Sequence, residues 1–212
     1  EAGFDLATSW AVLDQASIER VAAQHSNQLF NRVSGAWVSR GNGQESLVSL
    51  RSPVLTGAGS CGAFMTAQDG ISMRSPGFCN VNQLFDANLL QAGRVEVLKG
   101  PGAVVFGSNA LYGIINVVTR SVGNTPNQVR VEGGSRDYYR VSASGAVGSG
   151  IALSAQTSQY GGYQDASGYD QQKATLRIDQ EWGNWRVDGA LEGSQLDQET
   201  AGYIRAVSYT HL

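Results

Sequence analysis

The sequence has no long apolar run. Nowhere do about 18 consecutive apolar residues occur, the length that a membrane-spanning helix needs. This excludes a helical membrane protein but not a β-barrel, whose strands need only about ten residues of alternating polarity. An excess of basic residues is also missing, since 15 Lys and Arg against 18 Asp and Glu give a net charge of −3. We therefore expect no nucleic acid partner.

Cysteine and histidine are scarce. Cys61 and Cys79 lie in a stretch rich in Gly, Ser and Pro, where a loop is expected. The pair is read either as one disulfide, which implies an oxidising compartment and contributes about 3 kcal/mol, or as two separate buried thiols. The only other soft ligands are His25 and His211, so we expect no zinc site and no other metal site.

Proline is rare and glycine abundant: 4 Pro against 27 Gly favour short strands joined by tight turns. Two short helices are predicted first, one capped by Asp14 and one capped by Ser26 and ended by Gly35. His25 lies on a polar helical stretch, which favours a solvated side chain. Two strand-like runs follow around a polar turn at residues 40–44.

The next stretch mixes strands with one more helix. "FMTAQDGISM" is predicted to be extended around an Asp69-Gly70 turn, and residues 84–90 form a short helix. "RVEVLKG" alternates as a strand, and "GIINVVTR" is a continuous apolar run that suits a buried strand.

After Arg120 the pattern has a period of two. Five successive strands of about eight to thirteen residues, each with one apolar face, predict an antiparallel meander. Long connections ("GSRD", "GGYQDASGYD") alternate with short ones ("GSG", "GN"), as at the two ends of an outer-membrane barrel. Aromatic residues at the strand ends would form the interfacial girdle of such a barrel: Tyr138, Tyr160, Tyr163, Trp182 and Trp185. A soluble β-sandwich alternates in the same way and stays an alternative.

The glycine-rich stretch "RVEVLKGPGAVVFGSNALYG" begins like a phosphate-binding loop. After Gly102 and Gly107 come Ser108 and Asn109 without the Lys of a P-loop, and Val105 breaks the dinucleotide pattern. The run that follows is β-branched, so no helix offers its N-terminus to an anion. No G-x-S-x-G elbow occurs, and Asp69 and Asp86 are isolated carboxylates. We expect no catalytic residues, no enzyme activity and no cofactor.

Residues 10–120 resemble the plug domain of TonB-dependent outer-membrane receptors. The resemblance runs in order through "VLDQASIERV", "LFNRVSGAWVSRGNG", "SLRSP", "AQDGISM" and "RVEVLKGPGAVVFGSNALYGIINVVTR", and the last of these is long and specific. The meander resembles the first strands of the family's barrel, which has 22 strands and a plugged lumen. The expected fold class is an α+β plug followed by antiparallel β strands of a truncated 22-stranded outer-membrane β-barrel.

The resemblance implies import of a scarce, large solute, such as a siderophore-iron complex or a corrinoid, across a Gram-negative outer membrane. The implied partners are that solute, the outer-membrane lipid and TonB, which pulls on a TonB box expected upstream of residue 1. Two alternatives are a docking or signalling receptor that uses a plug-like module, and a soluble periplasmic β-protein.

The resemblance also suggests site residues. By position, the outward plug turns are residues 40–44, 56–61 and 74–82. Arginines and amides can grip an anionic or amide-rich ligand and Phe can pack on it, which gives these candidate ligand contacts: Arg40, Asn42, Gln44, Arg74, Phe78, Asn80 and Asn82.

Arg51 and Lys99 match two basic plug positions that pair with barrel carboxylates in the family and lock the plug in place. Two departures stand out: "RSP" replaces the usual Arg-Gly, and Lys replaces the commoner Arg before Gly100. Lysine cannot make a planar bidentate contact, so this lock is expected to be weaker or differently arranged.

The expected domains are a plug at residues 1–120 and about five barrel strands at residues 121–206. Residues 207–212, "VSYTHL", look like a translated sequencing adapter, so the natural chain is expected to be interrupted near Ala206.

Overall fold

Two five-stranded sheets and a two-stranded hairpin make up this computed structural model, which describes residues 9–54, 63–73, 83–102, 106–107 and 110–200. The elements in chain order are β1 (Ser9–Asp14), α1 (Gln15–Val21), α2 (Ser26–Phe30), β2 (Ala36–Arg40), β3 (Ser46–Leu50), β4 (Phe64–Gln68), β5 (Ile71–Ser72), β6 (Ala92–Lys99), β7 (Gly113–Thr119), β8 (Gln128–Gly133), β9 (Tyr139–Val147), β10 (Ile151–Tyr160), β11 (Tyr169–Trp182) and β12 (Trp185–Gln198). Short 3-10 turns span Gln83–Phe85, Leu89–Gln91 and Val122–Asn124.

The two helices begin at side-chain caps. Asp14 accepts a hydrogen bond from the backbone N–H of Ser17 at 2.8 Å, which confirms the predicted cap of α1. The cap of α2 is His25 and not Ser26, because Nδ1 of His25 accepts from the N–H of Asn27 at 3.1 Å. The helix ends at Phe30, earlier than predicted.

The mixed sheet has the strand order β1-β6-β7-β4-β5. Strands β4 and β7 are parallel, and the other pairs are antiparallel. Strands β6 and β7 are the alternating strand and the continuous apolar strand predicted from the sequence. Their residues Val95, Val97, Ile115 and Val117 pack in the main core with the helices and the β2-β3 hairpin.

Residues 84–90 do not form the predicted helix. They fall in two 3-10 turns separated by residues 86–88, and the backbone of Asn88 (φ −82°, ψ 71°) is not helical. The backbone N–H of Asn88 donates to the Glu192 carboxylate at 2.9 Å, so β12 takes a donor that a helix would have used internally.

The meander sheet joins β8 to β12 in sequential antiparallel order, which confirms the five predicted strands. One face contacts the N-terminal region, meaning the described residues before β8, and we call this contact surface the seam. The other face is open. No helix within the described ranges is long and apolar enough to cross a bilayer.

The polarity of the meander sheet is the reverse of a soluble sandwich. Its polar residues are the buried ones at the seam: Arg140, Ser142, Ser154, Ser158, Gln171, Lys173 and Thr175. Its open face carries large apolar side chains: Val129, Val131, Val147, Leu153, Val187 and Leu191. A sandwich would bury the apolar face, so this arrangement contradicts the sandwich alternative.

The aromatic residues divide between the two faces. Trp182 and Trp185 are exposed beside the tight β11-β12 turn, and Tyr163 is also exposed. Tyr138 and Tyr160 are buried with Tyr169 at the seam, so the prediction that they belong to an outer girdle is wrong. They face inward because both belong to one cluster with Tyr169, whose ring packs against that of Tyr160. Tyr160 also lies beneath the guanidinium of Arg40.

Candidate functional site

The seam is held by side chains of the meander sheet that donate to backbone carbonyls of the N-terminal region. Arg140 is 4% exposed, and its Nη1 and Nη2 donate to the carbonyls of Ala23 and Ala22, both at 2.8 Å. Nη2 also pairs with Glu132 of β8. Because α1 ends at Val21, these carbonyls lie beyond the helix and need an outside donor.

A second contact holds the 3-10 turns. Nζ of Lys173 donates to the carbonyl of Ala87 at 2.7 Å, and Nε2 of Gln171 donates to that of Phe85 at 3.2 Å. The Asn88 side chain donates to the hydroxyl of Thr175 at 3.1 Å. Three neighbouring positions on the seam face of β11 therefore bind one short segment.

A third contact involves the β4-β5 turn. Asp69 has a left-handed backbone (φ 49°) and accepts from the N–H and hydroxyl of Thr119 at 2.8 and 2.6 Å. Its carboxylate also lies 3.6 Å from Nη1 of Arg177, which is bonded to Asp188 on the neighbouring strand. Asp69 is thus both a turn residue and the anionic partner of a cation in the meander sheet.

The tip of the β2-β3 hairpin meets the long β10-β11 loop. Oδ1 of Asn42 accepts from the Tyr163 hydroxyl at 3.3 Å and from Nε2 of Gln164 at 3.2 Å. The N–H of Gly43 donates to the carbonyl of Ser167 at 3.2 Å. Arg40 lies over the ring of Tyr160, with 5.3 Å between its Cζ and the ring centroid. The hairpin tip and the β10-β11 loop are therefore joined by hydrogen bonds into one surface.

The candidate ligand contacts that the structure describes are all at this tip. Arg40 and Asn42 are partly accessible, whereas Gln44 is buried and donates from Nε2 to the carbonyl of Gln24 at 2.9 Å. Arg74, Phe78, Asn80 and Asn82 lie outside the described residues, as do Cys61 and Cys79 of the expected disulfide.

The two expected lock residues lie side by side in the N-terminal region. Lys99 donates to the carbonyl of Ser34 at 2.9 Å, and Nη2 of Arg51 donates to the Ser9 hydroxyl at 3.0 Å. Burial, helped by the positive charge of Arg51, lowers the pKa of Lys99. Within the described ranges neither side chain forms a carboxylate ion pair.

Several residues of the seam were not predicted from the sequence. His25 was expected in solvent but is 1% exposed, and its Nε2 donates to the carbonyl of Glu45 at 3.0 Å. Arg140 and Lys173 were not among the residues predicted to form contacts. A long cation among small polar residues on the polar face of its strand was the available signal.

The comparisons with known proteins agree with this geometry. A family model described as "TonB-dependent Receptor Plug Domain" matches residues 3–114, more than half of the chain. The vitamin B12 transporter BtuB of Vibrio cholerae serotype O1 is 25% identical over 208 residues, covering 95% of this chain and 32% of the relative. BtuB of Vibrio vulnificus is 28% identical over 170 residues, covering 78% and 26%. The chain therefore spans about a third of the length of these curated relatives.

Solved structures share the fold. The ferric yersiniabactin uptake receptor FyuA from Yersinia pestis aligns with a TM-score of 0.65 at 21% identity, over 89% of this chain and 32% of that one. The copper transporter OprC aligns with a TM-score of 0.68 at 15% identity, over 92% and 31%. With the family model covering more than half of its residues, the chain belongs to the TonB-dependent receptor plug-domain family.

Proposed function

We propose that this protein is an outer-membrane receptor that imports a scarce, large solute by TonB-driven active transport. The observation that carries the proposal is the polarity of the meander sheet, with buried polar residues at the seam and leucines and valines on the open face. A sheet of this kind fits the wall of a β-barrel, with its apolar face toward lipid and its polar face toward a plug in the lumen.

The proposed division places the plug at residues 1–120 and barrel strands at residues 121–206. The seam supports it, because β9 and β11 bind the α1 end and the 3-10 turns through Arg140, Lys173 and Gln171. The acceptors of these hydrogen bonds are backbone carbonyls, so the bonds can break and re-form without any change in a covalent bond. We propose that TonB, acting on a TonB box upstream of residue 1, disrupts such contacts when it pulls on the plug.

The proposed ligand surface is the bonded hairpin tip and β10-β11 loop, together with the candidates at residues 74–82. Arg40 offers a guanidinium to a carboxylate or another anionic group, and Asn42 offers an amide. Because Gln44 is buried and bonded, we expect its substitution to act through the tip conformation and not through direct ligand contact. The substrate class is a metal chelate, either a ferric siderophore or a corrinoid, since both kinds of import are named among the similar proteins.

Uptake by a deletion strain of the source bacterium tests this function. Labelled ferric siderophores and cyanocobalamin are supplied separately, and the full gene is returned on a plasmid. The gene should restore uptake of one of the two classes, and uptake should stop when TonB is removed. Restoration of neither class, with the receptor present in the outer membrane, would overturn the proposal.

The ligand surface is tested in the same strain. Arg40→Ala should weaken apparent affinity about tenfold, because a charge-assisted contact is worth more than about 1.4 kcal/mol. The matched control is Arg32→Ala, since the Arg32 side chain is exposed and its Nε donates to the carbonyl of Gln28 in α2. Equal affinities for the two variants would contradict the assignment of Arg40.

We further propose that Lys99 and Arg51 pair with carboxylates of the barrel. Lys99→Glu would place the new carboxylate beside its proposed partner carboxylate in the barrel, and the repulsion would loosen the plug. Because a loose plug opens the barrel lumen, sensitivity to a large antibiotic should rise in cells that produce the full receptor. Unchanged sensitivity at equal receptor abundance would contradict the lock.

A further inference from the structure

A small, partly open cavity of about 40 Å³ lies at the seam, between the end of α1, the 3-10 turns and strands β9 to β11. A single water needs only about 10 to 15 Å³ by the same measure, so the space admits a particle larger than water. Among the described residues, its lining includes Arg140, Lys173, Gln156, Gln171 and Ser158 and no Asp or Glu.

Two cationic side chains line this cavity. Arg140 and Lys173 are 4% and 7% exposed. Their carboxylate neighbours approach from elsewhere: Glu132 bonds Nη2 of Arg140, and Asp86 and Glu192 act on Lys173 through their charge. The cavity wall therefore presents cationic and amide groups, while the carboxylates that balance the two cations lie outside its lining.

One donor group at the cavity is left without a partner. Within the described residues, Nε of Arg140 is buried and makes no hydrogen bond, because Nη1 and Nη2 take the carbonyls and Glu132. Lys173 has three N–H groups, and Nζ donates to the Ala87 carbonyl. Buried donors of this kind normally have a partner.

Gln156 completes the set. Its Oε1 is buried without a partner at the same cavity. The two ends of a glutamine amide are interchangeable in placement, and turning the amide would present an N–H₂ group to the space. Arginine, lysine and an amide would then all offer donors to the same cavity.

We propose that this cavity binds one small monovalent anion, a halide such as chloride. The anion would accept from Nε of Arg140, Nζ of Lys173 and the Gln156 amide. It would thereby join the barrel strands to both plug segments that they hold, residues 22–24 and 85–88.

Bromide is the probe that tests the site. Crystals of the full receptor prepared in sodium bromide should give an anomalous difference peak at the bromine edge, within hydrogen-bonding distance of Nε of Arg140. Density for water without an anomalous peak would overturn the proposal.

Stability provides an independent readout. At equal ionic strength, the receptor should melt about 2 °C higher in sodium chloride than in sodium gluconate, whose anion is too large for the cavity. Gln156→Glu supplies a resident carboxylate, so it should abolish both the bromide peak and this difference. Gln159→Glu, which adds the same charge on the opposite face of β10, should keep them. Equal chloride effects in all three proteins would overturn the proposal.

Discussion

His25 is bound at both ring nitrogens. Nδ1 accepts from the N–H of Asn27 as the cap of α2, and Nε2 donates to the carbonyl of Glu45 in the hairpin tip. Only the neutral ring can accept at Nδ1. Burial is the main reason why the pKa of His25 lies below its ordinary value of 6.5, and the nearby charge of Arg40 lowers it further.

Acidification should therefore destabilise the plug through His25. The unfolded chain binds a proton below pH 6.5 while folded His25 stays neutral, so stability falls as the pH drops from 6.5 to the lower folded pKa. The slope from this group is at most about 1.4 kcal/mol per pH unit. In His25→Asn, which can still cap the helix, thermal unfolding followed between about pH 7.5 and about pH 5.5 should depend less on pH. Identical pH profiles would contradict the assignment.

Gly113 joins the glycine-rich stretch to β7 at a place where no side chain fits. Its φ is +152°, and an added Cβ would lie 2.2 Å from the carbonyl oxygen of Leu98 on β6. We expect Gly113→Ala to destabilise the protein by about 2 to 4 kcal/mol, because the β6-β7 pairing must shift. Gly123→Ala, where an added Cβ meets nothing within 4 Å, is the control, and denaturant unfolding is the measurement. Similar losses in both would contradict the steric explanation.

At the scale of elements, the end of α1 depends on a strand more than 100 residues away. Ala22 is left-handed (φ 46°), so the chain leaves the helix there, and Arg140 of β9 binds the carbonyls of Ala22 and Ala23. A short helix has little stability of its own. The strand therefore fixes the position of the helix end.

Arg140→Met should loosen this end of the helix. Removing a buried charged donor costs about 3 kcal/mol, so backbone amides near residues 18–26 should exchange with solvent about a hundredfold faster. Arg130→Met is the matched control, because Arg130 pairs with the same Glu132 from a more exposed position. Hydrogen exchange with mass spectrometry measures the difference, and equal exchange in the two variants would contradict it.

At the scale of the whole molecule, the open face of the meander sheet is apolar over several rows. Leu153, Leu176 and Leu191 lie opposite one another on β10, β11 and β12. Trp182 and Trp185 lie toward the tight turn, and Asp170 and Asp197 face each other near the opposite end of the same pair of strands. Along these strands the open face thus changes from aromatic to apolar to polar pairs, as expected for the lipid-facing side of a barrel that crosses a bilayer.

Leu191→Arg distinguishes lipid from water on this face. Leu191 is 71% exposed, so in a water-soluble protein the change would be nearly neutral. Facing lipid near the middle of a bilayer, it should cost about 2 to 4 kcal/mol and reduce the amount of receptor assembled in the outer membrane. Gln159→Arg, closer to the end of the strand, should assemble normally. Normal assembly of Leu191→Arg, measured in isolated membranes, would contradict the lipid-facing position.

The sequence by itself determined the local features. A period of two predicted all five strands of the meander sheet, and the continuous apolar run of "GIINVVTR" predicted the buried β7. The Asp14 cap and the Asp69-Gly70 turn were predicted because each depends on residues close in the chain. The motifs of the glycine-rich stretch were also enough to indicate the family.

Only the tertiary structure decided what covers each surface. Alternation shows that a strand has two faces, but not that Arg140 and Lys173 face plug carbonyls, because those partners lie 117 and 86 residues away in the chain. The predictions of a helix at residues 84–90 and of a solvated His25 were wrong for the same reason. Their backbone and ring positions follow from donors and acceptors that distant strands and loops bring to them, and local sequence preferences do not contain that information.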